Sequence, residues 1–255
     1  MASGLPGADS AAPVTSQLGG QGLIDLARSH FRAVPAFWGR YFSSPTSKGS
    51  VEYHHALEGA ALNASGIRVL PVARQTLRVN GTSEDGAADA AGNAADFLAS
   101  FGVDYLVTQG NVFYIFLDVE GQPSLSADYY TGWAQALAAA SSTATGGRLT
   151  LRPCIYAEPK DAATWVALRQ AMADGADCGG AWVARYLNDG CTRFPDWNDA
   201  FVTPAGGAPC PILIWQYAGN CYGNGGIDCS QTNPALDAND ELLRFLVLPP
   251  ESSGA

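Results

Sequence analysis

Two acidic residues follow a strand-like segment in the middle of the chain. The segment from Val112 to Val119 is rich in large apolar and β-branched residues, and it leads into Asp118, Val119 and Glu120. Side chains alternate along a strand, so Asp118 and Glu120 should point to the same side. Crowding of two carboxyl groups raises the pKa of one, which can then donate a proton while the other stays ionised. A solvated strand end or a helix-capping pair is the alternative interpretation.

Two further aspartates, Asp9 and Asp228, stand on the first and last strand candidates of the chain. The first and last strands of a closed barrel are neighbours, so we expect Asp9 and Asp228 to meet. Each could instead be an ordinary turn or cap residue. Glycosidic cleavage requires a protonated carboxyl group at the leaving oxygen and negative charge near an oxocarbenium-like transition state. Together with Asp118 and Glu120, these aspartates would place four acids at one end of the barrel. Such a group would supply both the protonated carboxyl group and the negative charge.

The elements that must position these acids alternate between apolar runs and Ala-rich amphipathic stretches, a pattern typical of strand-helix units. The strand candidates are Leu5–Asp9, Phe37–Tyr41, Ile67–Val72, Val112–Val119, Leu149–Tyr156, Gly180–Tyr186, Ile212–Tyr217 and Ile227–Asp228. The helix candidates are Thr15–Ala33, Val51–Ser65, Glu84–Phe101, Ala127–Ala140 and Asp161–Ala173. In the final third, Gly, Pro, Asn and Cys replace the helical pattern, which predicts loop connections.

These patterns predict an α/β fold. We expect a single irregular (β/α) TIM-like barrel over residues 1–248, with about five β/α units followed by three strands with loop connections, and a C-terminal tail over residues 249–255. Active sites of such barrels lie at the carboxyl ends of the strands. The acids named above fall at that face.

Charge and hydropathy exclude several classes of partner. The 255 residues include 24 Asp plus Glu and 14 Lys plus Arg, which gives a formal net charge of −10. This charge repels phosphate backbones, so we expect no nucleic acid partner. The longest apolar runs have the length of strands, so we expect no membrane span. The predicted partner is a glycan substrate, bound by a monomer.

The number and positions of the cysteines indicate which cellular compartment the protein occupies. Six occur, at positions 154, 178, 191, 210, 221 and 229, and none forms a CxxC pair. Local disulfides between Cys178 and Cys191 and between Cys221 and Cys229 fit an oxidising compartment, and buried free thiols in a cytosolic protein are the alternative. The cysteine content favours a secreted or cell-envelope protein, although the N-terminus has no signal peptide pattern.

Aromatic residues near strand ends could stack on sugar rings, although most aromatics in such runs belong to the core. The candidates are Tyr41, Tyr156, Tyr186, Trp215 and Tyr217. Adjacent His54 and His55 diverge on a helix, and no HExxH spacing occurs, so we predict neither a metal nor a cofactor. The acids could alternatively hold Ca²⁺ or Mg²⁺ through hard oxygen ligands.

Four motifs follow one another along the chain: the GxDS start at Gly7–Ser10, the strand end DVE at Asp118–Glu120, the segment Ala181–Tyr186, and WQY at Trp215–Tyr217 before a Gly-rich turn and Asp228. In this order they resemble the family 25 glycoside hydrolases, which are lysozyme-type muramidases. The segments Phe37–Tyr41 and Gly66–Pro71 also resemble a related group described only as glycoside-hydrolase-like, whose activity is not established. The resemblance spans roughly Leu5 to Gln231.

The resemblance implies an irregular barrel and a role for each acid. Glu120 would be the general acid, Asp118 and Asp9 would position the substrate or stabilise positive charge, and Asp228 would complete the ring. It also favours Trp215 as a ligand contact, together with Tyr217. The implied substrate is an N-acetylated glycan, in particular peptidoglycan. The alternatives are a catalytically silent carbohydrate- or cell-wall-binding barrel and a secreted toxin or lysis factor with the same chemistry.

Overall fold

The chain folds into a closed barrel of eight strands with helices outside it. In the computed structural model, the described residues are 3–45, 52–74, 77–121, 123–223, 225–236 and 241–251, and only the backbone is described at 188 and 189. The strands are β1 (Pro6–Asp9), β2 (Gln17–Leu18), β3 (Gln21–Gly22), β4 (Phe37–Phe42), β5 (Arg68–Ala73), β6 (Val112–Val119), β7 (Thr150–Ala157), β8 (Ala181–Asp189), β9 (Ile212–Cys221) and β10 (Ile227–Thr232). The barrel order is β1-β10-β9-β8-β7-β6-β5-β4, and β1 pairs with β4 to close it.

Strand β10 differs from the others in direction. The other seven barrel strands are parallel to one another, whereas β10 is antiparallel to both β1 and β9. Antiparallel neighbours can be joined by a short turn, while parallel neighbours need a long crossover. The Gly-rich turn between Cys221 and Ile227 therefore connects β9 to β10 without a helix. The predicted barrel with loop connections at its end is confirmed.

The helices form the outer layer, where parallel strands need crossovers. They are α1 (Leu23–Phe31), α2 (His55–Ala64), α3 (Ser83–Phe101), α4 (Val103–Gln109), α5 (Ala127–Ala144), α6 (Ala162–Ala173) and the short α7 (Asp199–Val202). Helix α3 packs against α5: a Cβ on Gly86 would lie 2.2 Å from Tyr129 O, and Trp133 Nε1 donates to Asn93 Oδ1. Helix α3 therefore belongs to the outer crossover that joins β5 to β6.

Two helix predictions need correction. The first half of the predicted helix Thr15–Ala33 is instead the β2-β3 hairpin, whose turn uses Gly19 and Gly20 at φ 60° and 82°. Glycine adopts this left-handed backbone without a Cβ penalty. Helix α4 was not predicted, because Gly102 at φ 78° interrupts an otherwise continuous helical pattern. Val51, the predicted start of the second helix, lies outside the described residues.

The end of the barrel where the parallel strands finish is called the mouth, and the opposite end the floor. At the floor, the segment after β10 covers the barrel interior. Leu242 and Leu246 are buried there, and Phe245 stacks on Tyr114 with ring centroids 4.3 Å apart. Val247 pairs with Val69 by backbone hydrogen bonds. The mouth is thus the end left for a ligand.

The disulfide joins different cysteines from those predicted. Cys191 and Cys221 are bonded, with sulfur atoms 2.03 Å apart. Strand β8, nine residues and roughly 30 Å long, separates Cys178 from Cys191, so these cannot bond. Cys221 pairs in register with Ile227, and Cys229 lies two residues further along β10, on the order of 7 Å away. Both predicted pairings are wrong, and the observed bridge ties the loop after β8 to the end of β9.

A buried ion pair holds the chain segment that follows Asp9 at the mouth. Arg40, on the outer side of β4, forms an ion pair with Glu58 of α2 (Nε to Oε2, 2.8 Å), and both side chains are fully buried. Arg40 Nη1 also donates to Ser10 O at 2.6 Å, and Val14 N donates to Glu58 Oε2 at 2.9 Å. The pair therefore fixes the backbone that directly follows Asp9.

We expect Arg40→Met to lower the free energy of unfolding by about 3–5 kcal/mol, because Glu58 would remain buried without a counter-charge. Denaturant unfolding followed by circular dichroism measures the change. Arg28→Met is the matched control, since Arg28 forms an exposed ion pair with Asp25, and a change below about 1 kcal/mol is expected there. Similar losses in the two variants would show that the buried pair is not a special support.

Candidate active site

Three strands bring the four predicted acids to the mouth. Asp9 is the last residue of β1 and is paired in register with Asp228 of β10. Asp118 lies near the carboxyl end of β6, and Glu120 follows that strand directly. The negative charges of all four raise the pKa of Tyr41, after burial, which is the largest cause. They therefore occupy one electrostatic neighbourhood, with Asp9 and Asp118 buried and Glu120 exposed.

Gln216, on the inner face of β9, connects the acids. Its Nε2 donates to Asp9 Oδ1 at 2.9 Å and lies 3.5 Å from Asp228 Oδ2. Its Oε1 accepts hydrogen bonds from Tyr156 at 2.7 Å and from Tyr186 at 3.2 Å. The amide thus presents its donors to two carboxyl groups and its acceptor to two hydroxyl groups. The reversed amide would place its oxygen against the carboxyl oxygens, so this orientation is the one the surroundings favour.

The Tyr156 hydroxyl lies between two acceptors. Its oxygen is 2.6 Å from Glu120 Oε1 and 2.7 Å from Gln216 Oε1. A phenol carries one proton and can donate only one of these bonds. The phenol therefore links Glu120 to the amide that holds Asp9 and Asp228.

Burial and mutual repulsion shift the other acids. Burial raises the pKa of Asp9 well above its ordinary value, and the charge of Asp228 adds to the rise. Burial also raises the pKa of Asp118, followed by the charge of Glu120. Asp118 Oδ1 is buried without a hydrogen-bond partner among the described residues. Burial raises the pKa of Asp228 to about 6, although Asn220 N donates to it at 2.6 Å.

The predicted aromatic residues divide into two groups. Tyr41, Tyr156 and Tyr186 lie on the inner side near the acids, whose charges act on all three hydroxyl groups. Trp215 and Tyr217 are buried on the outer face of β9, because alternation along the strand sends Gln216 inward and its neighbours outward. The expectation that these two share the mouth with the tyrosines is therefore corrected.

Sequence reasoning missed residues that shape the mouth. Gln216 was passed over between two aromatic neighbours, although the outward position of Trp215 and Tyr217 would have marked it as inward-facing. Gly39 was also missed: a Cβ there would lie 2.7 Å from Asp9 Cβ and 3.0 Å from Trp182 Cη2. Glycine at this position makes room for Asp9 beside the indole.

Potential metal ligands gather elsewhere. Within the described part of the chain, one group of three donor atoms lies within 4.8 Å of one another, formed by His30, Cys191 and Cys221. Its two sulfur atoms are already joined in the disulfide. The four mouth acids do not form such a group.

Other solved structures share the fold of this barrel. No protein-family model matches the chain, and no curated protein matches it. An uncharacterized protein from B. stearothermophilus is 21% identical over 96% of this chain and 100% of that chain, with a TM-score of 0.67.

Two lytic proteins have the same fold. The Clostridium perfringens spore cortex lytic enzyme SleM is 15% identical, with a TM-score of 0.53 over 92% of this chain and 69% of that chain. The catalytic domain of endolysin ply40, from bacteriophage P40 of Listeria monocytogenes, is 14% identical, with a TM-score of 0.52 over 95% of this chain and 98% of that chain. At this identity the likeness shows the fold alone. Among the described residues, no helix has the length and apolar character to cross a bilayer.

The raised pKa of Asp228 predicts a pH-dependent stability. Folding favours protonated Asp228. The contribution of this group to the free energy of unfolding is therefore fully present below its ordinary pKa of 3.8 and is lost as the pH rises through about 6. Buried Asp9 shifts in the same direction. We expect Asp228→Asn to remove about 1–2 kcal/mol of the loss between pH 4 and pH 7, allowing for solvent screening.

Thermal and denaturant unfolding at both pH values measure this difference. Asp104→Asn, at an exposed position, is the control and should leave the wild-type pH dependence intact. An Asp228→Asn protein with the full wild-type pH dependence would contradict the assignment.

Proposed function

We propose that this protein is a glycoside hydrolase acting on an N-acetylated glycan, with peptidoglycan as its substrate. The observation that carries the proposal is the gathering of four carboxyl groups from three strands at one mouth, where Gln216 and Tyr156 contact three of them. Glycosidic cleavage needs a proton donor and a negatively charged partner near the sugar, and this group of carboxyl groups can supply both. The lytic activity in the names of two proteins with the same fold supports the choice of substrate.

In the proposed mechanism, Glu120 is the general acid. It is the exposed member of the group, and the Tyr156 hydroxyl lies 2.6 Å from its Oε1. It would give its proton to the glycosidic oxygen as the bond to the anomeric carbon breaks. Tyr156 would hold the carboxyl group in place before transfer and donate to the carboxylate that remains.

The other carboxyl groups would act on the sugar. The charge of Glu120 acts on Asp118, whose buried Oδ1 lacks a described partner. Positive charge on the sugar would favour the ionised form of Asp118 in spite of its burial, and the carboxylate would then stabilise the oxocarbenium-like transition state. Asp9 and Asp228, held by Gln216, would orient the substrate. The inward tyrosines Tyr41 and Tyr186 would contact the sugar rings.

The disulfide between Cys191 and Cys221 supports a secreted or cell-envelope location, because such bonds persist in oxidising compartments. A peptidoglycan substrate lies in the same surroundings. We propose that the protein acts there as a monomer.

We expect Glu120→Gln to lower kcat on purified bacterial cell walls by at least about 100-fold, because the amide cannot supply the proton. The measurement is the release of new reducing ends. Glu84→Gln, on an exposed turn of α3, should keep wild-type activity. Binding of the glycan by Glu120→Gln should persist, since the amide keeps the shape of the side chain.

Equal release of reducing ends by wild-type and Glu120→Gln protein would defeat the catalytic role. Glycan binding by both proteins with no cleavage by either would instead favour a silent binding barrel. Asp9 and Asp118 are almost completely buried. Burial limits their contact with a substrate, and this observation favours the second function.

We expect Tyr156→Phe to lower kcat by about 10- to 100-fold, the effect of losing a hydrogen bond to a charged group. KM should change little, while the limb of the pH-rate profile that reports the general acid should move, because Glu120 loses its partner. Tyr114→Phe, at the floor, is the control. A Tyr156→Phe enzyme with an unmoved profile would show that this hydroxyl is only structural.

A further inference from the structure

A cavity opens beside the acidic mouth. It has a volume of about 470 Å³, which lies within the range of small-molecule sites. Its lining includes Ala184 and Tyr186 of β8 and the residues that follow β7. Tyr186 donates to Gln216 Oε1 at 3.2 Å and is 40% exposed. The phenol ring therefore forms a wall shared by the cavity and the mouth.

The charge of this cavity is opposite to that of the mouth. Arg185 and Lys160 line it together with one acid, Glu158. Lys160 is 83% exposed in its side chain and forms an ion pair with Glu158 at 2.8 Å. Two cations against one anion leave a local excess of positive charge in a protein whose net charge is −10. An anionic group would be attracted here.

Arg185 is held in place before any ligand arrives. Its guanidinium lies over the Phe201 ring, 4.0 Å from the centroid, and donates to Phe201 O. Its own carbonyl accepts a hydrogen bond from Trp215 Nε1 at 2.8 Å. A guanidinium fixed in this way loses little conformational entropy on binding, and its planar fork suits a carboxylate. The outward position of Trp215 thus supports the cavity rather than a sugar.

We propose that this cavity binds a carboxylate substituent of the glycan whose sugar ring contacts Tyr186. The proposal rests on the proposed function and narrows its substrate to glycans that carry a carboxylate next to an N-acetylated sugar. The neutral ring would stack on Tyr186, and the carboxylate would bind Arg185 with help from Lys160. The carboxylate could belong to an ether-linked lactyl group or to a peptide attached to it.

Calorimetric titration of the Glu120→Gln protein tests the proposal without turnover. The ligands are a neutral N-acetylglucosamine tetramer and a peptidoglycan tetrasaccharide of equal length with free lactyl carboxylates. The anionic glycan should bind about tenfold more tightly, and adding Arg185→Met should remove most of that advantage while leaving the neutral glycan unchanged. Arg28→Met is the matched control and should change neither affinity.

A third ligand, with peptides on the lactyl groups, identifies the source of the carboxylate. Retained dependence on Arg185 assigns the peptide carboxylates, and lost dependence assigns the lactyl group. Lys160→Met provides a second variant at an exposed position, with an expected two- to threefold loss for the anionic glycan alone.

Equal binding of the neutral and anionic glycans, or an anionic affinity indifferent to Arg185→Met and Lys160→Met, would overturn the proposal. The failure of the proposed hydrolase is a separate result: carboxylate-dependent binding with no cleavage by the wild-type protein would leave the cavity assignment standing.

Discussion

The direction of β10 is the constraint on which the candidate site depends. Because β10 runs antiparallel between β1 and β9, its first residues lie at the mouth, and Asp228 stands opposite Asp9. A parallel strand in this place would bring its amino end, and Asp228 with it, to the floor. The same insertion sets Gln216 of β9 beside both aspartates. The strand that closes the barrel therefore also brings Asp228 next to Asp9 and Gln216.

Keeping like charges together has a cost that the mouth offsets locally. Carboxyl groups buried near one another repel when ionised, so each tends to retain a proton or to find a donor. Gln216 supplies donors to two of them, and Asn220 N supplies another to Asp228. Below the mouth, the Arg40–Glu58 pair anchors the backbone after Asp9. The polar network is thus supported from outside the barrel as well as from within.

The sequence predicted the parts of this molecule that depend on local patterns. Apolar runs located all eight barrel strands, including β6, at whose carboxyl end Asp118 and Glu120 lie. The disulfide could not be predicted, because partners that are close in sequence, such as Cys178 and Cys191, lie at opposite ends of a strand. The inward position of Gln216 was missed for a different reason: its two aromatic neighbours resembled a sugar platform, and only the packing outside β9 shows which face they occupy.

The position of the floor segment also governs how the chain can fold as it is made. Leu242, Phe245 and Leu246 cover the inside of the barrel, yet they follow every barrel strand in the sequence. During synthesis the ribosome therefore releases seven parallel strands before the strand that closes the ring and the residues that seal it. Until then the nascent barrel has two open edges and a wet interior, which makes this interval the one in which a chaperone would be of most use.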